Sequence, residues 1–259
     1  MGSSTLQGDL WGRAARDWAD LQEPQHLPVW KVMLDSVRVE QDTRFFDAGC
    51  GSGGASALAV QRGAQVSGLD ASKALISIAQ ERVPQGNFRV GDLEVLPYGE
   101  KAFDAIVAAL SVQYTANPDV ALQELKRVCD PSGHFVISTW DEPEYCEQRV
   151  IFKAVRDTLP SPPVGGGPFA LSAEGALETI IEQAGWKVTE SNVVDCNFEY
   201  PDLETLWRAQ RSAGPLQGAL QAVAKAQLHD AVEQAVEPYR TNKGGFRLEN
   251  RFRCVTASP

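Results

Sequence analysis

The sequence is poor in the residues that hold metals and disulfides. It has three histidines, His26, His134 and His229, too scattered for a zinc cluster, so no metal is expected. Its five cysteines, Cys50, Cys129, Cys146, Cys196 and Cys254, are odd in number and contain no CxxC pair. That argues against a disulfide framework and fits free thiols in a reducing compartment. No run of about 18 apolar residues exists, so no membrane span is expected. The N-terminus lacks a basic segment followed by an apolar stretch, which argues against a secretory signal and for a cytoplasmic protein. Basic runs with interleaved aromatics are also missing. A formal charge of −10 repels phosphates, so nucleic acid is not the expected partner. What remains is an ordinary globular composition, and 259 residues can bury a sizeable core without staples.

The chain reads as alternating strands and helices. Leu10 to Val39 gives two helices broken near Pro24 and Pro28, and Gly2-Ser3-Ser4 before them reads as a flexible start. Strands are expected at Arg44–Asp47, Gln65–Leu69, Asn87–Val90, Phe103–Ala108 and His134–Trp140. Helices are expected at Ser52–Gln61, Ser72–Arg82 with Ser72 as N-cap, and Pro118–Val128. This rhythm implies parallel βαβ units and a doubly wound α/β sheet. After Trp140 it changes. A helix is expected around Cys146–Thr158, and Pro162 to Pro168 has the composition of a mobile loop. Ser172–Ala184 is a helix stopped by Gly185, and Trp186–Phe198 contains a strand. Leu203–Tyr239 is helical with a break at Gly214-Pro215, and Phe246–Ala257 is a last strand. One domain over residues 1–259 is expected: a helical cap (1–40), a ligand-binding core (41–140) and cap insertions at 141–170 and 200–245.

The most informative segment runs from Phe46 through Asp47, Gly49, Cys50, Gly51 and Gly53 to Gly54. A strand enters a glycine turn and then a helix. Glycine lets a ligand approach the backbone closely, and the helix N-terminus offers free N–H groups. Such a turn binds nucleotide-like ligands. Gly49, Gly51 and Gly54 spell the dinucleotide fingerprint GxGxxG, whereas Gly49, Gly51 and Gly53 spell GxGxG preceded by Asp47. The motif alone leaves both spellings open. Asp70, about 20 residues further on, can accept hydrogen bonds from both ribose hydroxyls, which suits either cofactor.

A third segment separates the two. Gly91-Asp92-Leu93-Glu94-Val95-Leu96-Pro97-Tyr98 precedes Phe103-Asp104-Ala105-Ile106-Val107. Together with the turn and Asp70, this order resembles the class I S-adenosylmethionine-dependent methyltransferases of the ubiquinone/menaquinone-biosynthesis-like branch. Their pattern is a D-x-G-x-G-x-G turn, an acid after the second strand, a G-D-x-x-x-L-P-[FY] segment and an F-D-x-[IV]-V strand. Leu125 to Gly133 is similar to the family's E-x-x-R-V-L-K-P-G-G, with Cys129-Asp130 and Ser132 as departures. The likeness is good over residues 11 to 140 and loose elsewhere.

The resemblance implies a Rossmann-like, seven-stranded, mostly parallel sheet whose last strand is antiparallel, with N-terminal helices and cap insertions. It implies S-adenosyl-L-methionine as cofactor, with Gly49, Cys50, Gly51 and Gly53 against the methionine moiety and Asp47 near its ammonium. Asp70 would hold the ribose, Ala71 would lie beside the adenine, and Asp92 and the Leu93 backbone would meet the adenine edge. Ala108 and Gln113 would line the site. Trp11-Gly-Arg-Ala-Ala15-Arg-Asp-Trp18 is similar to the family's Y-x-x-x-A-x-x-Y helix. Trp11 is therefore a candidate contact, while Trp18 is assigned to core packing.

Methyl transfer is an in-line displacement in which alignment and exclusion of water supply most of the rate. No general base stands out, and the catalytic residue stays unassigned. His134 begins a strand at the wrong end. Asp141, Glu142 and Glu144 read as solvated loop acids. Tyr114 and Tyr145 are further candidates, as are His26 and His229 if their helices form a lid. The expected acceptor is a small molecule methylated on O, N or C, since cap insertions suit an enclosed pocket. The alternatives are an NAD(P)-dependent oxidoreductase, against which the lack of Tyr-x-x-x-Lys counts, a non-catalytic binding protein, and a methyltransferase acting on macromolecules. Oligomeric state is left open.

Overall fold

The computed structural model describes residues 3–161 and 167–259. Seven strands form one sheet in the order β3-β2-β1-β4-β5-β9-β6. They are β1 (Arg44–Ala48), β2 (Gln65–Asp70), β3 (Asn87–Val90), β4 (Phe103–Ala109), β5 (Cys129–Trp140), β6 (Lys187–Asp195) and β9 (Arg251–Ser258). Strands β1 to β5 pair in parallel, and β9 runs antiparallel between β5 and β6. This is the doubly wound, Rossmann-like sheet with an antiparallel last strand that the sequence led us to expect. A separate two-stranded sheet joins β7 (Phe198–Tyr200) to β8 (Phe246–Leu248).

Alternation of side chains along each strand builds a core on both faces. Phe45, Val107 and Val136 pack on one face under α3 (Leu27–Ser36) and α4 (Gly54–Gln61). Phe46, Ile106, Phe135 and Ile137 pack on the other, where α6 (Pro118–Val128) and α8 (Ala176–Gln183) lie. Helix α6 shows why such segments are helical. Pro118 sits in its first turn, and Ala121, Leu122, Leu125 and Val128 form one buried stripe. Ser72 caps α5 (Lys73–Arg82), its Oγ accepting the Leu75 amide at 3.4 Å. Gly185, at φ +86°, ends α8 as expected.

Several motif residues prove to brace the fold. Glu124 accepts the Leu96 amide at 2.8 Å, and Arg127 donates to the carbonyls of Tyr98 at 2.8 Å and Leu96 at 3.2 Å. The E-x-x-R segment thereby clamps the L-P-[FY] segment. Asp104 pairs with the Arg44 side chain and accepts its amide at 2.9 Å, which holds the Asp104 carboxyl below the usual carboxylate range. Asp130, one of the departures, joins this pair and also accepts from the Ser132 amide at 3.0 Å.

Four expectations change. Ser3 and Ser4 open helix α1 (Ser3–Gly12) instead of a flexible tail. Pro28 starts α3 because a first-turn proline loses no helical hydrogen bond. Between these helices lie a single turn, α2 (Ala15–Asp17), a π-helical turn at Trp18–Gln22 and a 3-10 turn at Glu23–His26. Asp141 is buried and paired with Arg251 at 3.1 Å, so it is no solvated acid. The last strand is interrupted at Glu249–Asn250, which separates β8 from β9.

The cap assembles from distant segments. Helices α7 (Arg149–Thr158), α9 (Leu203–Arg211), α10 (Gly214–Ala219) and α11 (Lys225–Val236) pack together, and α10 also touches α1. Asp17 ties the N-terminal segment to α9 through Arg208 at 2.6 Å and Arg211 at 3.0 Å. Of the stretch expected to form a mobile loop, Pro162 to Gly166 lies outside the described residues, and Gly167–Phe169 is a 3-10 turn.

Candidate active site

Sheet order reverses between β1 and β4, and the crevice above that switch point is where open α/β sheets bind ligands. Here it deepens into a cavity bordered by the carboxyl ends of β1 to β5 and roofed by α1, the Trp18–His26 turns, α7 and α9.

The floor is the glycine turn. Gly49, Gly51 and Gly53 have φ of +79°, +55° and +81°, a region L side chains rarely adopt. A Cβ on Gly49 would come within 2.3 Å of the Ser111 Cβ, so glycine is required there twice over. Asp70 holds the turn from below, accepting the Gly51 amide at 2.9 Å on Oδ2 and the Ser72 amide at 2.8 Å on Oδ1. Each oxygen keeps a lone pair for a further donor. Asp47 accepts the Ser56 hydroxyl at 2.6 Å. Burial pushes Asp47 up to about 7 and Asp70 up to about 6, outweighing the hydrogen bonds from Ser56 and from the Gly51 and Ser72 amides. Cys50, in the same turn, is pushed well above its ordinary value by burial, which leaves it an inert thiol.

Of the residues expected from the sequence, the structure brings Trp11, Asp47, Gly49, Cys50, Gly51, Asp70, Ala71, Asp92 and Leu93 to the wall of this one cavity. It places three elsewhere. Gly53 turns toward Ala79 of α5, where a Cβ would sit 3.1 Å from that methyl. Ala108 points into the α6 side of the core, and its neighbour Ala109 borders the cavity instead. Gln113 stands off the wall with its amide buried and unpartnered among the described residues. Tyr145, Glu142, Glu144, His134 and His229 are not on the wall either.

Trp18, His26 and Tyr114, named from the sequence with less definite roles, also reach the wall, and the rest of it comes from residues the sequence did not single out. Glu23 reaches the glycine turn from above, accepting the Ser52 amide at 2.7 Å while pairing with the Ser52 hydroxyl and Arg82. It follows directly on the π-helical turn, a distortion frequent at functional sites. Leu110, an apolar residue at φ +53° directly after β4, is a second local strain on the wall. Trp18 borders the cavity, its Nε1 unpartnered among the described residues. Trp11 stacks edge-on against Trp18 at 4.7 Å and Tyr114 at 5.5 Å.

Toward β5 the cavity becomes aromatic. Trp30, Trp140, Phe152 and His26 line it, with Gln22, Gln148, Gln210 and the unpartnered Ser138 hydroxyl between them. The glutamines form a chain: Gln210 Nε2 donates to Gln148 Oε1 at 3.2 Å and to the Tyr200 hydroxyl at 2.9 Å, and that hydroxyl donates to Gln22 Oε1 at 2.7 Å. Burial pushes His26 down to about 4. The described wall holds four carboxylates, Glu23, Asp47, Asp70 and Asp92, and no lysine or arginine. The only signals for this half in the sequence were aromatic and amide residues scattered over segments far apart, a pattern indistinguishable from core until folded.

A parallel sheet with this order, a glycine turn after β1 and acids after β2 and β3 define a nucleoside-binding α/β enzyme. Residues 46–137 match the methyltransferase domain family. The chain is 28% identical over 204 residues to malonyl-[acyl-carrier protein] O-methyltransferase of Erwinia pyrifoliae, covering 79% of this chain and 74% of that protein. It is 27% identical over 122 residues to demethylmenaquinone methyltransferase of Renibacterium salmoninarum, covering 47% of this chain and 52% of that protein. Among solved structures, the [4+2]-cyclase SpnF superposes with a TM-score of 0.57 at 20% identity, covering 89% of this chain and 80% of that one, a likeness of fold alone. The chain is an S-adenosylmethionine-dependent methyltransferase with S-adenosylmethionine as its cofactor, and its relatives are consistent with class I and a quinone-biosynthesis-like branch. No helix among the described residues is long and apolar enough to cross a membrane.

Proposed function

We propose that the protein methylates a small, uncharged, partly aromatic acceptor, as a single cytoplasmic domain whose cap encloses the reaction. The observation that carries this reading is the two-part character of one continuous cavity. Its turn end offers Asp70 and Asp92 as acceptors and Asp47 as a counter-charge. Its other end offers aromatic faces and neutral amides.

The residues present fit S-adenosylmethionine. Asp70 would take the two ribose hydroxyls on its free lone pairs, and Asp92 with the Leu93 backbone would meet the adenine edge. Gly49, Cys50 and Gly51 would lie along the methionine moiety, with Asp47 near its ammonium. The unpartnered Trp18 Nε1 is a donor awaiting an acceptor. When bound, the cofactor supplies an electrophilic methyl group. The chain's part is to bind, align and exclude water. A positively charged cofactor also suits a wall with four carboxylates and no cation.

The same wall argues against the acceptor named for the Erwinia relative. A malonyl group carries a carboxylate, for which the described wall offers no lysine or arginine. An acidic carrier protein or a nucleic acid would meet the same −10 chain. The test is calorimetric titration with S-adenosylhomocysteine, NAD and NADP in parallel, followed by transfer assays on neutral phenols, amines and malonyl thioesters. Binding of S-adenosylhomocysteine alone and turnover of neutral acceptors are expected. Turnover confined to malonyl thioesters would overturn the acceptor class.

A further inference from the structure

Resting on that reading and narrowing it, we infer that the acceptor presents an aromatic hydroxyl and that His26 is the catalytic residue that takes its proton. The argument begins with the ring's own hydrogen bond. His26 Nδ1 lies 3.2 Å from the Glu23 carbonyl oxygen. A carbonyl only accepts, so Nδ1 carries the hydrogen and Nε2 carries the lone pair. Nε2 has no partner among the described residues, and the imidazole borders the cavity.

The ring is held in place. Phe198 and Phe252 meet it edge-on at 5.1 and 5.6 Å, Trp30 stacks at 6.3 Å and Trp18 lies at 6.0 Å. Trp30 also presses on Gly54, where a Cβ would come within 2.3 Å of its ring. His26 shares the cavity with Trp30, Trp140 and Phe152, aromatic surface that suits a planar ring bearing a hydroxyl. The four carboxylates on the described wall already have partners: Glu23 is bound to Ser52 and Arg82, Asp47 to Ser56, Asp70 to two turn amides, and Asp92 to the Glu94 amide at 3.0 Å. Burial keeps the imidazole uncharged at neutral pH, so its lone pair is available.

The step balances without a further reactant. The acceptor oxygen forms a bond to the methyl carbon, and the carbon–sulfur bond breaks with its electron pair remaining on sulfur. The hydroxyl proton passes to Nε2. Positive charge leaves the sulfonium and appears on the imidazolium, so the net charge of the cavity does not change.

The test uses full-length protein with 15N-labelled histidine, saturated with S-adenosylhomocysteine and titrated with phenol and catechol. The expected spectrum shows Nδ1 protonated, Nε2 unprotonated, and an Nε2 signal that moves as the phenol binds. His26→Gln is expected to bind S-adenosylhomocysteine within about threefold of wild type and to lose at least about 100-fold in kcat with phenols, with KM little changed. If that variant fails to fold, the wild-type spectra decide alone. Nε2 found protonated, phenols that leave it unmoved, or a His26→Gln enzyme of undiminished kcat would each overturn the assignment. Failure of S-adenosylhomocysteine to bind overturns instead the reading of the site beneath it.

Discussion

Glu23 and Ser52 share a hydrogen bond across the seam between cap and core: the Ser52 amide donates to the Glu23 carboxylate at 2.7 Å. Arg82 of α5 completes the contact by pairing with the same carboxylate and donating to the Ala19 carbonyl at 3.1 Å. The N-terminal segment is thus fastened to the turn that lies under the cofactor site.

Removing that fastening has a direct consequence. Glu23 is buried, so Glu23→Ala leaves the Ser52 amide without its acceptor and Arg82 with the Ala19 carbonyl and the Ser52 hydroxyl alone. Breaking one side of such a pair costs about 3 kcal/mol. Urea denaturation should show that loss, with Glu23→Gln losing less because the amide still accepts from Ser52. An unchanged midpoint for Glu23→Ala would mean the cap is held by other contacts, chiefly Asp17 with Arg208 and Arg211.

Asp70→Ala should weaken S-adenosylhomocysteine binding by about 1–3 kcal/mol, since ribose hydroxyls would lose their partners. Asp70 also steadies the turn through two amides, so part of the loss will be conformational. Asp70→Asn keeps the size of the group but only one acceptor oxygen, so it gives up one turn amide along with part of the ribose contact and should weaken binding less than Asp70→Ala. Calorimetry on both variants measures the difference, and affinity unchanged in both would remove Asp70 from the site.

How much of this was legible beforehand follows from the range of the interactions. The buried run Phe45–Ala48, the Ser72 cap and the Gly185 stop are local devices, and they are where the sequence puts them. The glycine turn and Asp92 were legible through spacing. The aromatic end of the cavity was not, because Trp30, Trp140 and Phe152 come from three elements and only tertiary contact separates them from core. Gln22, Gln148 and Gln210 carry no signal in the sequence, and only the fold joins them in one buried chain of hydrogen bonds. Asp141 misled for the opposite reason: its partner Arg251 is 110 residues away and arrives only when β9 inserts beside β5.

Gly49→Ala tests the floor of the site. The substitution imposes a left-handed conformation at φ +79° on a residue with a side chain, and sets its Cβ against Ser111. The conformational part alone costs about 1–2 kcal/mol, and the contact with a side chain bonded to the Ala48 carbonyl at 2.7 Å adds to it. A lowered melting temperature together with weakened S-adenosylhomocysteine binding is expected. A stable variant with normal affinity would show that the turn can shift without disturbing the ligand.

The carboxyls of the turn make binding depend on pH, and the sign follows from their environment. In the free protein burial holds Asp47 at about 7 and Asp70 at about 6. A cation beside Asp47 favours its ionised form, so binding below neutrality must release a proton. Affinity for S-adenosylhomocysteine, whose ammonium is retained, should therefore fall by about tenfold from pH 8 to pH 6, where Asp47 is mostly protonated. Titrations in two buffers of different ionisation enthalpy should reveal the proton released. The stability of the free protein should run the other way. A carboxyl whose folded value is raised stabilises most below its unfolded value near 4, and that contribution disappears as pH rises through 7. His26 opposes this at the acid end, since its value, lowered to about 4, gives stability that is present above 6.5 and lost as pH falls through 4. Asp47→Asn should flatten both the affinity profile below pH 7 and the loss of stability between pH 4 and pH 7, leaving the His26 limb intact. A variant whose profiles match wild type would show that Asp47 does not carry the proton and that the ammonium lies elsewhere.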